Sequence, residues 1–346
     1  MVDLGLTEEQ AALVDSFGAL LSKSSSPERV RAAEPEGFDP DLWRTLNDTG
    51  VVVMALPEAD GGWGAQLLDL ALVAEQLGRS MAAAPVIEAQ VAARLLARSG
   101  GAPEAVAAVV EGRSLTTLAV HPARGGVCDL VPGGAVCDHL VALVDDELRL
   151  VALDADCRAP VANLGGAPLA DVRVVGGQVL ARGASARALF EAALDEWLVL
   201  TAAAVVAMAE VALELACTYA VERHAFGAAI GSFQGVAHPL ADDATAIDGA
   251  RLLVRKAAWT LQHRGARSRE LAAMAFAFAS ESAAATTYDA VHVHGGYGFM
   301  LEYDVQLLYR RARGWPRVWG DVSRANDRVA QARYGDRQAG AADGGA

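Results

Sequence analysis

Two stretches in the last third of the chain combine groups that can hold an extended, doubly charged phosphate ligand. The first is Arg223-His224-Ala225-Phe226-Gly227, running on through Ala228-Ala229-Ile230-Gly231-Ser232 to Phe233-Gln234. The second is His294-Gly295-Gly296-Tyr297-Gly298-Phe299, followed by Glu302, Asp304, Tyr309, Arg310 and Arg311. A planar, permanently charged guanidinium such as Arg223 suits bidentate contact with a pyrophosphate. Adjacent glycines let the backbone come close to phosphate oxygens, above all at helix ends. Gly227 is placed to cap a helix that ends near Tyr219-Ala220-Val221-Glu222. A lone Gly-Gly pair says little in a chain with 34 glycines. The ordered set Arg223, Phe233-Gln234, Gly295-Gly296 says more. His292 and His294 stand two residues apart and would not share a helix face, so no metal site is expected there.

Long Ala-rich helices must position these groups. Leu194, Leu198, Val205, Met208, Ala212, Leu215 and Tyr219 recur at helical intervals. A second helix is expected from near Gln234, carrying Leu240, Ala244, Ile247, Leu252 and Leu253. A third is expected over Glu270–His292, with few charges and so buried on most faces. A fourth follows over Val305–Arg313 and a last one after Ser323. Their natural packing is a four-helix bundle. The N-terminal third also reads as helical. Thr7-Glu8-Glu9-Gln10 is a capping box. Leu42, Trp43 and Leu46 mark a helix closed by Gly50, and further helices are expected over Leu67–Gly78 and Ile87–Leu96. Between them the pattern changes. Leu115–Val120, His139–Val144, Glu147–Leu153 and Asp171–Val175 are short β-rich runs bounded by Gly, Pro and Asp. The expected fold is mainly α with a central β domain. It has an N-terminal helical domain (1–112), a small antiparallel β domain (113–183) and a C-terminal four-helix bundle (184–337). A Gly/Ala-rich tail (338–346) is expected to be disordered.

Composition narrows the functional classes. The 346-residue chain is long enough for two or three domains, and its 53% hydrophobic content can fill a large core. A net charge of −14 argues against non-specific nucleic-acid binding, which needs basic patches to displace counterions. Cys128, Cys137, Cys157 and Cys217 form no CxxC pair and fit no zinc spacing, so free, mostly buried thiols in a reducing compartment are expected. No basic segment precedes an apolar run at the N-terminus. The apolar run Leu198–Ala209 is too short to span a bilayer. A cytoplasmic protein without a membrane partner is the resulting expectation.

Taken together, these motifs resemble the signature of the acyl-CoA dehydrogenase family over nearly the whole chain. The N-terminal third contributes Leu6-Thr7-Glu8-Glu9-Gln10, Trp43, Gly50, Leu56-Pro57-Glu58, Gly61-Gly62-Trp63-Gly64 and Glu75-Gln76-Leu77-Gly78-Arg79. The resemblance implies that Arg223, His224, Ala225, Phe226, Phe233 and Gln234, with His292, His294, Gly295 and Gly296, contact FAD across a subunit interface. It therefore also implies an oligomer.

The departures from the family pattern matter as much. The resemblance implies a catalytic glutamate at one of two places, and here they hold Trp319 and Trp197. Removing an α-proton from a thioester needs a positioned base, which an indole cannot be. Glu196 and Asp321 stand close by, and a small insertion would bring either into the role. On a helix, however, Glu196 points about 100° away from Trp197. A substrate-contacting arginine of the family is replaced by Leu198. The family's Thr-Glu-Pro and Gly-Ser-Asp segments become Val120-His121-Pro122-Ala123-Arg124-Gly125-Gly126. Its flavin-lining tryptophan has no counterpart between Gly64 and Glu196. The implied reading is a subunit that helps bind FAD for α,β-dehydrogenation of an acyl-CoA thioester. The substrate class includes bulky or steroid-derived acyl groups. A second acyl-CoA dehydrogenase subunit, in an α2β2 heterotetramer, would carry the base, and an electron-transfer flavoprotein or similar acceptor would take the electrons. A self-sufficient enzyme with a relocated base, a flavin-free structural subunit, and another flavin reaction on the same fold stay open.

Overall fold

A computed structural model of the chain describes residues 5–342. The first third folds into α1 (Glu8–Ser24), α2 (Pro27–Ala32), α3 (Pro40–Asp48), α4 (Leu67–Arg79), α5 (Val86–Ser99) and α6 (Pro103–Val110). The capping box at α1 forms as expected. Thr7 Oγ1 accepts from the Gln10 amide, and Gln10 Oε1 accepts from the Thr7 amide, each at 3.2 Å. The apolar run after Gly50 makes a short 3-10 turn over Val53–Ala55, and a second follows Pro57 over Glu58–Asp60.

The middle segment contains β1 (Thr116–Leu118), β2 (Val127–Val131), β3 (His139–Val144), β4 (Glu147–Ala152), β5 (Arg158–Pro160), β6 (Ala170–Arg173) and β7 (Gln178–Arg182). They form two sheets, ordered β1-β3-β4-β7 and β2-β6-β5. The domain is mixed rather than purely antiparallel, because β1 and β3 pair in parallel with Thr117 opposite Leu140. The reason is topological. The chain leaves β1, crosses to the second sheet as β2 and returns to β3 in the same direction. A separate small core of Leu115, Cys128, Leu140, Ala142 and Val172 lies under these strands.

The last third starts with α7 (Gly183–Glu222), a 40-residue helix about 60 Å long. It holds neither Gly nor Pro after its first residue. It is followed by β8 (His224–Ala225), β9 (Ala228–Ala229), α8 (Gln234–Gln262), α9 (Ser268–His294), α10 (Val305–Arg317) and α11 (Val322–Ala342). By length and composition α7 could cross a membrane, which the shorter run read from the sequence did not suggest. Its apolar stretch is 72% buried inside the protein, so it is a core helix packed on α4, α8 and α9. One continuous core joins the N-terminal helices to this bundle. The expected tail is also corrected in part. α11 continues to Ala342, while 343–346 lie outside the described residues.

Candidate cofactor site

The phosphate-binding candidates lie where α7 and α9 end and α8 begins. α7 stops at Glu222 because Arg223 turns to extended backbone, with φ −78° and ψ 124°. β8 and β9 then form a hairpin whose two-residue turn, Phe226 (φ 51°) and Gly227 (φ 82°), is left-handed throughout. That is the geometry of a type I′ hairpin. Gly227 is thus a turn residue and not the expected helix cap. Phe226 is 99% exposed and meets Phe233 edge-on at 6.3 Å between centroids. α8 begins at Gln234 without a side-chain cap; Val236 N–H donates back to Phe233 O at 2.9 Å, which leaves the Gln234 and Gly235 N–H groups open to an external acceptor.

Tyr219 stacks on His294 at 4.5 Å, which brings the end of α7 against the end of α9. There Gly295 (φ 61°) reverses the chain, and a Cβ at Gly295 or Gly296 would meet nothing within 4 Å. Arg223, His224, Gln234, His292, Gly295 and Gly296 are all exposed. Among the described residues the Arg223 guanidinium has no ion-pair or hydrogen-bond partner. His224 Nδ1 donates to Glu222 O at 3.1 Å. His294 differs from the rest of this set. It is 7% exposed, its Nδ1 donates to Ala290 O at 2.7 Å, and its ring is held between Tyr219 and Tyr303.

The two tryptophans at the expected base positions lie in one buried aromatic row. Trp197 (1% exposed) packs on Phe276 at 6.2 Å, and Phe276 meets Trp319 (2% exposed) edge-on at 5.4 Å. Neither neighbouring carboxylate joins this row. Glu196 is buried and receives Arg94 at 3.1 and 3.3 Å and Arg98 in a still shorter contact. Both of its oxygens are thus engaged by guanidiniums. Asp321 is exposed, and its Oδ1 accepts from the Arg324 amide at 3.2 Å, capping the first turn of α11. Leu198 is fully buried core.

Glu88 was not found by sequence reading. Trp197 Nε1 donates to Glu88 Oε1 at 3.0 Å. The carboxyl faces a cavity of about 60 Å³, lined also by Leu77, Ile87, Leu169, Thr201 and Trp315. Burial raises its pKa, and the Trp197 hydrogen bond offsets part of that rise. A single carboxyl inside the apolar run Val86-Ile87-Glu88-Ala89 was the available signal.

A second unforeseen contact ties the β domain to the bundle. His121 Nε2–H donates to Val318 O at 2.9 Å, which leaves Nδ1 to accept from Arg324 Nη1 at 3.0 Å. The Arg324 guanidinium lies over the Trp319 ring, 4.6 Å from its centroid. Burial lowers the His121 pKa, as the neutral tautomer in this arrangement requires. All four cysteines are free, Cys128 and Cys137 buried and Cys217 exposed, so "mostly buried" held for only half of them. No group of metal-ligating side chains occurs among the described residues.

The fold matches that of known proteins. The acyl-CoA dehydrogenase N-terminal domain matches residues 7–104, and the acyl-CoA dehydrogenase C-terminal domain matches residues 187–321. The chain is 32% identical to "Acyl-CoA dehydrogenase IpdE2" of Mycolicibacterium smegmatis, over 91% of this chain and 96% of that protein. It superposes on a chain of the ChsE4-ChsE5 complex from Mycobacterium tuberculosis with a TM-score of 0.86 and 26% identity, covering 95% of this chain and 98% of the other. A chain described as "Tcur3481-Tcur3483 steroid ACAD G363A variant" also gives 0.86, at 25% identity, with 97% and 100% covered. The chain belongs to the acyl-CoA dehydrogenase family, whose members are FAD-dependent oxidoreductases acting on CH–CH bonds.

The residues present fit one end of that cofactor. An exposed, unpaired guanidinium, an amide, an uncapped helix N-terminus and open glycine backbone form a donor set for a pyrophosphate. They do not fit the other end, where His121 bonds directly to Val318 O and Arg324, and Phe276 fills the space between Trp197 and Trp319.

Proposed function

We propose that the chain is the nucleotide-clamping, base-lacking subunit of a heteromeric acyl-CoA dehydrogenase. The observation that carries this reading is the contrast between two places. Both expected base positions hold buried tryptophans linked through Phe276, whereas Arg223 stands exposed and unpaired beside open glycines. When bound, FAD supplies a hydride acceptor for α,β-dehydrogenation of the thioester. In this reading Arg223, His224, Gln234, His292, Gly295 and Gly296 hold the ADP end of a flavin whose ring and base belong to the partner subunit. Phe226 and Phe233 pack at the interface, where their exposed rings would be covered. His294 supports the site from beneath by fixing the end of α9.

Two structural neighbours support the assembly and the substrate class. One structural neighbour is a two-protein complex, and another is described as a steroid ACAD. The substrate class follows as an acyl-CoA with a bulky, steroid-type acyl group. The acceptor is an electron-transfer flavoprotein or a similar carrier, and the compartment is the reducing cytoplasm. Co-expression with an acyl-CoA dehydrogenase subunit that carries a glutamate at the base position, followed by subunit and flavin counting, tests the reading. A one-to-one pair with one FAD per pair is expected. If the chain alone is yellow and reduces a dye with an acyl-CoA, it is self-sufficient. If its pair holds no flavin bordered by Arg223, it is a structural subunit.

A further inference from the structure

We propose that His121, Arg324 and Trp319 form a built-in plug that closes this chain's own flavin-ring pocket. The side chains thereby join the β domain to the bundle at the place where a cofactor would otherwise lie between them. The inference deepens the partner-subunit reading and rests on it for where the ring goes instead.

Distances decide the matter. A planar ring inserted between two protein surfaces needs about 7 Å between them, one van der Waals contact of about 3.5 Å on each face. From the β side, His121 reaches Val318 O at 2.9 Å and Arg324 at 3.0 Å. From the bundle side, Arg324 stacks on Trp319 at 4.6 Å and also donates to the Trp319 carbonyl. Behind Trp319 stands Phe276 at 5.4 Å, and then Trp197. No gap of ring thickness remains along this row. The two cavities beside it, of about 60 and 120 Å³, fall short of the roughly 300 Å³ from which ligand pockets begin.

The polar satisfaction of the group also speaks for a fixed plug. His121 uses both ring nitrogens, and Arg324 combines a hydrogen bond to His121 with cation–π stacking on Trp319. The contacts bind the loop after β1 to Val318, between α10 and α11, and to Arg324 in the first turn of α11, far away in sequence. Within the group, only Trp319 Nε1 is buried without a partner. That unpaired donor is the mark of an indole placed to fill volume, not to make a polar contact.

Riboflavin carries the ring without the pyrophosphate, so it probes this pocket alone. The full-length chain is titrated with riboflavin and followed by flavin and tryptophan fluorescence. The wild type is expected to show no saturable binding, and saturable binding would overturn the proposal. The double variant Trp319→Ala, Arg324→Ala is expected to bind riboflavin at least tenfold more tightly than the wild type. A folded double variant, checked by circular dichroism, that gains nothing would overturn it too. Should that variant not fold, Arg324→Ala with the indole retained takes its place. It must show faster hydrogen exchange in both the 121–126 loop and the segment around Trp319, and unchanged exchange in either would overturn the proposal. Arg223→Ala leaves every one of these readouts unchanged, so failure here is distinguishable from failure of the partner-subunit reading.

Discussion

Trp197 and Glu88 meet across the packing of α7 on α5, indole Nε1 to carboxylate Oε1 at 3.0 Å. Glu88 is the one ionisable group among the residues lining the adjoining cavity. Its raised pKa comes first from burial, opposed by the hydrogen bond from Trp197. As pH rises, the unfolded chain ionises this carboxyl before the folded chain does. The stability it contributes is fully present below the ordinary carboxylate range and is lost as pH climbs through the raised folded value. Glu88→Gln keeps an acceptor for Trp197 and removes the titration. Its Tm relative to wild type should therefore improve by a few degrees between about pH 4.5 and about pH 8. A constant offset across that range would show that Glu88 does not titrate in this environment.

Glu196 makes the opposite case. It neutralises Arg94 and Arg98 at the junction of α5 and α7. Replacing it by Gln leaves two guanidiniums without a counter-charge, at a cost of about 3 kcal/mol in unfolding free energy. Activity per mole of folded complex should stay within about twofold of wild type, because both carboxylate oxygens are already engaged by Arg94 and Arg98. A thousandfold loss of kcat with unchanged stability would identify Glu196 as the base.

Close helix packing yields a third expectation. Gly78 of α4 lies so near α7 that a Cβ there would stand 2.1 Å from the Ala204 carbonyl oxygen. Both sides of the contact are helix backbone, and neither can yield without shifting a whole element. Gly78→Ala should cost about 3 kcal/mol or more, read as a lowered denaturation midpoint with an unchanged slope. A neutral effect would mean that α4 and α7 are farther apart than described.

How far the sequence foretold this molecule depends on the range of the interaction. The capping box at Thr7, the strand His139–Val144 and the helix boundaries near Gln234 and His292 follow from local pattern, and they form where that pattern places them. The family motifs at Arg223 and Gly295-Gly296 are likewise local signals. The parallel pairing of β1 with β3 is not, since direction depends on a crossover through a second sheet. Gly227 was misread because a helix cap and a hairpin turn both call for positive φ, and sequence alone does not separate them. His121 and Arg324 meet across about two hundred residues, and no spacing rule connects them. Glu88 carries no sequence signal beyond a single carboxyl in an apolar run, and its cavity and its bond from Trp197 arise only from the packing of α5 on α7.

Arg328 carries a fourth expectation, about the helix that follows the plug. It pairs with Asp195 at 2.5 Å and Glu191 at 2.7 Å, which ties α11 to the first part of α7. Burial raises the Asp195 pKa against the opposing effect of Arg328. Arg328→Ala leaves one buried carboxylate supported only by the more distant Arg269 at 3.5 Å. α11 should then undock at a cost of about 2–4 kcal/mol, visible as early tryptic cleavage after Arg324. Unchanged protection of α11 would show that apolar contacts with α9 hold it instead.

Arg223 tests the functional reading most directly, because it contributes nothing visible to the fold. Its guanidinium is exposed and unpaired among the described residues, and its backbone N–H still bonds to Tyr219 O at 2.8 Å whatever the side chain. Arg223→Ala should therefore leave the Tm of the isolated chain within about 1 °C of wild type, as for other exposed sites free of contacts. A charge-assisted hydrogen bond contributes about 1.5–3 kcal/mol, so loss of a bidentate phosphate contact should weaken FAD retention by the heteromeric complex about 10- to 100-fold. Arg223→Lys should recover part of that, since an ammonium keeps the charge and loses the fork. Flavin release on gel filtration, compared across the three proteins, gives the ranking. Equal FAD occupancy in all three would remove Arg223 from the cofactor site and leave the exposed helix ends as a protein–protein surface alone.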